Sequence, residues 1–262
     1  MEEDFLETAV EAAHRAGEII LNRLEAHRDV TVKGLRDIVT DADIAAEEAI
    51  LEIITERFPE HSIYSEERPF QGGDTPFTWF IDPLDGTTNY SRRFPCFSTS
   101  IALAEEGQVI VGVVYNPLLN HLFTAEKGKG ACLNGKPIHV SKRAELMKAL
   151  VALDWVHSQQ VRRKMTGIIS RLALSVGTLR TMGSASLGFC FVAAGWTDAY
   201  FHLGLKPWDL AAGALMVEEA GGKVTRVDGS PWSVEKGGLL ASNGLLHSEL
   251  LKFFAAAGIQ PD

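Results

Sequence analysis

The sequence lacks the features that mark secreted, membrane-spanning or nucleic-acid-binding chains. Its 262 residues hold only three cysteines, Cys96, Cys132 and Cys190, widely spaced and with no C-x-x-C pair. So sparse and odd a set excludes a disulfide framework or a cysteine zinc site and points to free thiols in a reducing cytoplasm. Basic residues are outnumbered, 25 Lys and Arg against 34 Asp and Glu, for a formal net charge of −9. No basic face is therefore expected for nucleic acid or anionic lipid. No uninterrupted apolar run reaches the roughly 20 residues of a membrane span. The opening stretch, MEEDFLETAVEAAHRAGEII, is acidic where a secretion signal would be basic. The eight histidines show neither H-x-x-H nor H-E-x-x-H spacing, so they read as surface or core residues and not as a zinc centre. Repeats and low-complexity segments are absent too.

What the chain does have is enough apolar content, 46%, for a large core. Residues 4–26 carry Phe5, Val10, Ala13, Ala16, Ile20 and Leu24 at helical spacing. HRDVTVKGLRD breaks that pattern as a loop or short hairpin. A second helix is expected from Asp41 to Arg57, capped by Thr40 or Asp41, with Ile44, Leu51, Ile54 and Phe58 inward. SIYSEE and FTWFID then read as strands, and turn residues at about ten-residue spacing imply an antiparallel meander. EKGKGACLNG has no strand–G-x-G-x-x-G–helix context and reads as a hairpin turn. After SKRAELMKA (141–149) strand-like pieces alternate with helix-like pieces at 158–174, 184–194, 208–220 and 247–256. The expectation is one domain over 1–262, with a helix pair and meander in 1–145 and an α/β half in 146–262.

The chemistry concentrates in WFIDPLDGTTNY (79–90). A strand there ends in two aspartates, Asp82 and Asp85, and a turn beginning at Pro83 would bring both carboxylates to one side of the Leu84 carbonyl. Like charges so close would drive their pKa values apart unless a divalent cation sits among them. Carboxylates with a backbone carbonyl are hard oxygen donors suited to Mg²⁺ or Mn²⁺. Gly86-Thr87-Thr88 follows with backbone N–H groups that can face an anion. Cation ligands beside an anion cradle suit metal-assisted hydrolysis of a phosphate ester. The same twelve residues can also be an ordinary Asp-Pro turn. Three further acidic stretches weigh against that: SIYSEE with Glu66 and Glu67, DIVTDADIAAEEA with Asp41 and Asp43, and KPWDLAAGALMVEEAGG with Asp209. Singly, Asp41 is an N-cap, Asp209 a helix N-terminal charge and Glu67 a solvated edge.

Together, in this order, the four stretches resemble the signatures of the inositol monophosphatase family of Mg²⁺-dependent, lithium-sensitive phosphatases. WFIDPLDGTTNY fits D-P-x-D-G-T, and WDLAAG…EEAGG fits the second signature. The resemblance implies an α/β (α+β) fold, a layered αβαβα sandwich shared with fructose-1,6-bisphosphatases, usually as a homodimer. It implies that Glu66, Asp82 and the Leu84 carbonyl hold one metal, and Asp82, Asp85 and Asp209 a second, with a third, weaker ion near Glu66. Asp43 would orient a catalytic Thr87, and Glu66 and Thr87 would position a metal-activated water. The N–H groups of Gly86 and Thr87 would meet the phosphate, and Lys33 would sit on a mobile loop closing over the site.

Substrate choice follows from fewer residues. Asp85, Gly183, Ser184, Ala185, His202 and Lys206 occupy positions that the resemblance assigns to the substrate's polyol side, and Asp154 and Ser158 lie in a nearby segment. His202 stands where inositol-specific members carry glutamate, and Lys206 brings a positive charge near the second signature. The expected substrate is myo-inositol 1-phosphate. Fructose 1,6-bisphosphate, NADP⁺ or 3′-phosphoadenosine 5′-phosphate on the same scaffold is the alternative, and a silent Mg²⁺ or phosphate-binding regulator is the non-enzymatic one.

Overall fold

The computed structural model describes residues 4–25, 30–35 and 37–256. Helix α1 (Phe5–Leu24) starts at Asp4, whose side chain accepts from Glu7 N, and buries Ala9, Ala13, Ala16, Ile20 and Leu24. Strands β1 (Val30–Gly34) and β2 (Asp37–Thr40) form an antiparallel hairpin where the helical pattern breaks. Helix α2 (Asp41–Arg57) begins at an N-capping Thr40, to whose N–H the Asp43 carboxylate is hydrogen-bonded. Its inward face differs from expectation at one position. Ile44 is 41% exposed, because the buried row runs Ala42, Ala46, Ile50, Ile54, and a residue two places on faces the other way. That inward row also carries Asp43 and Glu47, both buried.

The next strands, β3 (Ser62–Ser65), β4 (Phe77–Asp85), β5 (Ser98–Glu105), β6 (Gln108–Asn116), β7 (His121–Glu126), β8 (Gly130–Leu133) and β9 (Lys136–Pro137), form one sheet in chain order. From β4 to β9 the pairing is the expected antiparallel meander, but β3 and β4 are parallel. A short helix not foreseen from the sequence, α3 (Thr87–Ser91), follows β4. The EKGKGACLNG turn is a hairpin, pinned by Glu219, which accepts from Gly128 N and Gly130 N.

The second sheet contains β10 (Leu150–Leu153), β11 (Thr178–Thr181), β12 (Ala199–Leu203), β13 (Lys223–Arg226) and β14 (Gly238–Ser242), in the order β11-β10-β12-β14-β13. Strands β10, β11 and β12 are parallel and β14 is antiparallel to β12 and β13. The sequence concealed β11, an edge strand whose TLRT residues are half-buried or exposed and carry no apolar alternation. Helices α4 (Gln159–Leu172), α5 (Ala185–Ala193), α6 (Pro207–Glu219) and α7 (His247–Ala256) complete the half.

Three apolar cores define the layers. One lies between α1, α2 and the first sheet. A second holds α5 and α6 between the two sheets, and a third packs α4 and α7 on the outer face of the second sheet. The result is the αβαβα sandwich. The central layer is tight: a Cβ at Gly112 of β6 would come within 2.9 Å of the Ala212 carbonyl of α6. Two parallel features direct the site. The ends of β3 and β4 point the same way, and the carboxyl ends of β10, β11 and β12 lie together, the usual place for ligands in parallel sheets.

Candidate active site

Glu66 follows β3 directly, and its N–H donates to the Ile81 carbonyl at 3.2 Å. The parallel pairing thus sets Glu66 beside the Asp82 end of β4. No free turn separates Asp82 from Asp85. The strand runs on through Asp85, with its register to β5 shifted between them, and that bulge replaces the expected Pro83 turn. Asp82 Oδ1 accepts from Leu84 N at 3.0 Å, and Thr99 Oγ1 donates to the Pro83 carbonyl at 2.9 Å, so the bulge is held from both sides. Gly86 then takes φ +91°, where a Cβ would meet the Cys96 carbonyl at 2.9 Å and the Gly183 carbonyl at 3.0 Å. Only glycine fits that position.

Thr87 Oγ1 is 2.9 Å from Asp43 Oδ1 and 3.0 Å from the Leu84 carbonyl. Its single proton has two acceptors, while Asp43 Oδ2 is occupied by Thr40 N and Thr40 Oγ1. Burial pushes the Asp43 carboxyl up to about 6, against its hydrogen bonds from Thr40 and Thr87. Asp85 is buried on α5's N-terminal side. Its Oδ1 accepts from Ala185 N at 3.1 Å, and its Oδ2 accepts from Ser184 Oγ, Ser186 N and Ser186 Oγ. Ser186 escaped sequence reasoning, although its place two residues beyond Ser184 in GSAS was the available signal. Asp209, at the third position of α6, accepts from Lys206 N at 2.7 Å.

The electrostatics of the group are one-sided. Asp82 is raised well above the usual carboxylate range by burial and then by the charges of Glu66, Asp85 and Asp209. Half-buried Asp209 is raised by desolvation first and by Asp85 and Glu66 next. Glu66 is pushed up to about 7 by burial, with Lys33 opposing and Glu67 adding. Lys33, on the exposed strand β1, places Nζ 3.1 Å from Glu66 Oε1 and 2.7 Å from Glu67 Oε1. Burial alone would lower its ammonium, but those two carboxylates outweigh it and hold it above its ordinary value. Glu47 of α2, also missed from the sequence, supports this corner. It accepts from Ser65 Oγ and, at 3.0 Å, from Glu67 N.

Among the described residues, no group of three His, Cys, Asp or Glu side chains is placed to hold a metal ion in this arrangement. Asp85 leans on α5, and Glu66 on Lys33. Buried carboxylates that raise one another's proton affinity nevertheless form a donor set short of positive charge, and a hard divalent cation fits it.

The remaining expected residues divide. Gly183, with φ +74°, Ser184 and Ala185 lie at the α5 terminus against Asp85. Lys206 is exposed at the start of α6. His202 is 7% exposed, with Nδ1 accepting from Gly204 N at 3.1 Å and its ring bonded to the Trp155 backbone. Its hydrogen bonding is thus spent within the protein. Burial, then the neighbouring His157, lowers it from 6.5 to about 3. The unfolded chain binds that proton near 6.5 and the folded chain only near 3, so stability is lost as pH falls through this window. Thermal melting from pH 7 to 4 should show a smaller acid loss in His202→Gln than in the parent. Equal losses would exclude His202 as a source.

Over residues 1–258 the sequence matches the model of the inositol monophosphatase family. The chain belongs to that family. It is 43% identical to inositol monophosphatase 3 of Solanum lycopersicum, covering 95% of this chain and 96% of that one. It is 40% identical to Nus factor SuhB of Pasteurella multocida, covering 94% of each. Among solved structures, the inositol monophosphatase of Anabaena superposes with a TM-score of 0.86 at 38% identity, covering 98% and 96%. A structure described as IMPase/NADP phosphatase complexed with Mg²⁺ and phosphate superposes at 0.83 with 25% identity, covering 95% and 94%. Family membership makes the chain a phosphoric monoester hydrolase on the αβαβα fold.

Proposed function

We propose that this family member hydrolyses myo-inositol 1-phosphate to inositol and phosphate, with Mg²⁺ held by Glu66, Asp82, the Leu84 carbonyl, Asp85 and Asp209. The observation that carries it is that buried Asp82 and Asp85 of β4 and partly buried Glu66, just after β3, and Asp209 of α6 lie within one another's fields, beside Gly86 and Thr87. Bound Mg²⁺ supplies charge neutralisation of the phosphoryl oxygens and acidification of a water. The protein's own groups then divide the work. Thr87, its proton directed to Asp43 or the Leu84 carbonyl, keeps lone pairs to accept from a water, and Glu66 would help to take that water's proton. The helix start at Gly86 and Thr87 has no side-chain cap, so their N–H groups would meet the phosphate. Asp85, fixed by α5, holds its orientation without paying for reorganisation. Lys33 closes the Glu66 side.

The alternative, a broader phosphomonoesterase, is favoured by one observation. His202 is neutral and inward, so it offers no negative acceptor to inositol hydroxyls, whereas exposed Lys206 suits a second anionic group. A homodimer and a cytoplasmic location are part of the same proposal. No described helix is long and apolar enough to cross a membrane, and all three cysteines are free.

Phosphate release should be measured with Mg²⁺ and with EDTA. The panel is myo-inositol 1-phosphate, fructose 1,6-bisphosphate, glycerol 2-phosphate, NADP⁺ and 3′-phosphoadenosine 5′-phosphate. Preference for the inositol ester supports the proposal. Preference for the bisphosphate or a nucleotide retains the metal chemistry and selects the alternative. Folded protein that releases no phosphate with Mg²⁺ from any of them overturns both readings of the substrate.

A further inference from the structure

Asp154, the first residue after β10, lies outside the carboxylate group but is 7% exposed. Its Oδ1 accepts from Met182 N at 2.8 Å and Gly183 N at 2.6 Å, and its Oδ2 accepts from Tyr200 Oη at 3.2 Å. Both amides belong to the bend between β11 and α5. The same bend is gripped from the other side by Asn89 of α3, whose Nδ2 donates to the Met182 carbonyl at 2.8 Å and the Cys96 carbonyl at 2.7 Å. Gly183 holds the bend in the left-handed region, and a Cβ there would strike Asn89 Nδ2 at 2.8 Å. The residue after Gly183 is Ser184, the first of the three residues whose donors fix Asp85.

We propose that Asp154 is a positioning residue for the metal ligand Asp85, acting through the Met182–Gly183 bend to set the N-terminal end of α5. The inference rests on the reading of Asp85 as a metal ligand. Two adjacent N–H groups converge on one carboxylate oxygen, so the bend's orientation is fixed by charge-assisted bonds. Three donors fall on Asp85 Oδ2 and one on Oδ1, which leaves Oδ1 the oxygen with an open lone pair. A shift of the bend would move Ser184 first and re-aim that oxygen. Asp154 itself touches no reacting atom. Its chemistry is that of an outer partner, whose loss commonly costs about 10–100-fold in metal affinity.

The test is Mn²⁺ binding to the full chain by electron paramagnetic resonance, without substrate, with folding checked by circular dichroism. Asp154→Ala should weaken Mn²⁺ binding by about 10–100-fold. Asp154→Asn should restore it to within a few fold, because its remaining oxygen still accepts both amides while its NH₂ donates to Tyr200. If Asp154→Ala does not fold, Asn89→Ala, which loosens the same bend from the other side, should weaken binding in the same direction. Parent-like Mn²⁺ affinity in folded Asp154→Ala, or in Asn89→Ala where that variant stands in, overturns the inference. Asp85→Asn separates this outcome from failure of the site reading. Binding lost in Asp85→Asn but intact in Asp154→Ala removes the positioning role alone, whereas binding intact in Asp85→Asn removes the ligand assignment beneath it.

Discussion

Asp82→Asn should lower kcat/KM for the preferred phosphate ester by more than about 100-fold, beyond the ~10–100-fold typical of an outer partner. The same variant should make the metal-free protein more stable. Asp82 is buried among Glu66, Asp85 and Asp209, and burial and these charges all disfavour its ionised form. Replacing a buried carboxyl whose ionisation the site resists removes that cost, and each kcal/mol relieved should raise Tm by about 2–4 °C in a domain of this size. The increase in Tm caused by Mg²⁺ in the parent should shrink in the variant, since ligand stabilisation follows affinity. Activity lost together with metal-free Tm would indicate a structural role. Full Mg²⁺-dependent activity in a folded variant would remove Asp82 from the metal site. Activity lost with metal-free stability gained is the opposite of what a core residue would show, and only the pairing of these two readouts tells the proposed ligand from one.

Thr87→Val should lower kcat on the order of 100-fold or more, within the range of positioned proton transfer, with KM little changed. Valine keeps the volume and loses the hydroxyl, so the fold should persist. Thr87→Ser should recover most of the activity. Asp43→Asn should be comparably damaging for a different reason. Asparagine would keep its oxygen toward the two Thr40 donors, which turns its NH₂ toward Thr87 Oγ1 where the carboxylate now accepts, and the Thr87 hydroxyl would be re-aimed. On the proposal that Asp43 acts through Thr87, to which it is hydrogen-bonded, the double variant Asp43→Asn/Thr87→Val should be scarcely worse than either single one. Additive losses in kcat would show that the two residues work independently. A Thr87→Val enzyme with parent kcat would leave Glu66 as the sole proton-handling group.

The value of Asp85 depends on α5, and of Glu66 on the β3–β4 pair. Neither dependence is local. Ser184, Ala185 and Ser186 lie about a hundred residues after Asp85, and Glu66 is brought to β4 by a parallel pairing whose strands are not joined by a hairpin. Sequence spacing therefore suggested a turn at Pro83, where the structure has a bulged strand. It suggested an inward Ile44, where an alanine row is buried. Strand β11 and helix α3 were hidden because each is short and draws its stability from what packs around it.

By itself, the sequence determined what short-range chemistry dictates. The α1 and α2 stripes, the Thr40 cap, the β4–β9 meander and the four acidic stretches are all written within windows of a few residues to twenty. The acidic stretches also carried the family, because their residue types and order are sufficient for resemblance. Only the tertiary structure decided which carboxylates share a field, which serines hold Asp85, that His202 turns inward, and that Asp154 grips the bend beside the site. These depend on contacts between segments far apart in the chain, and no local period encodes which distant donor a buried oxygen will meet.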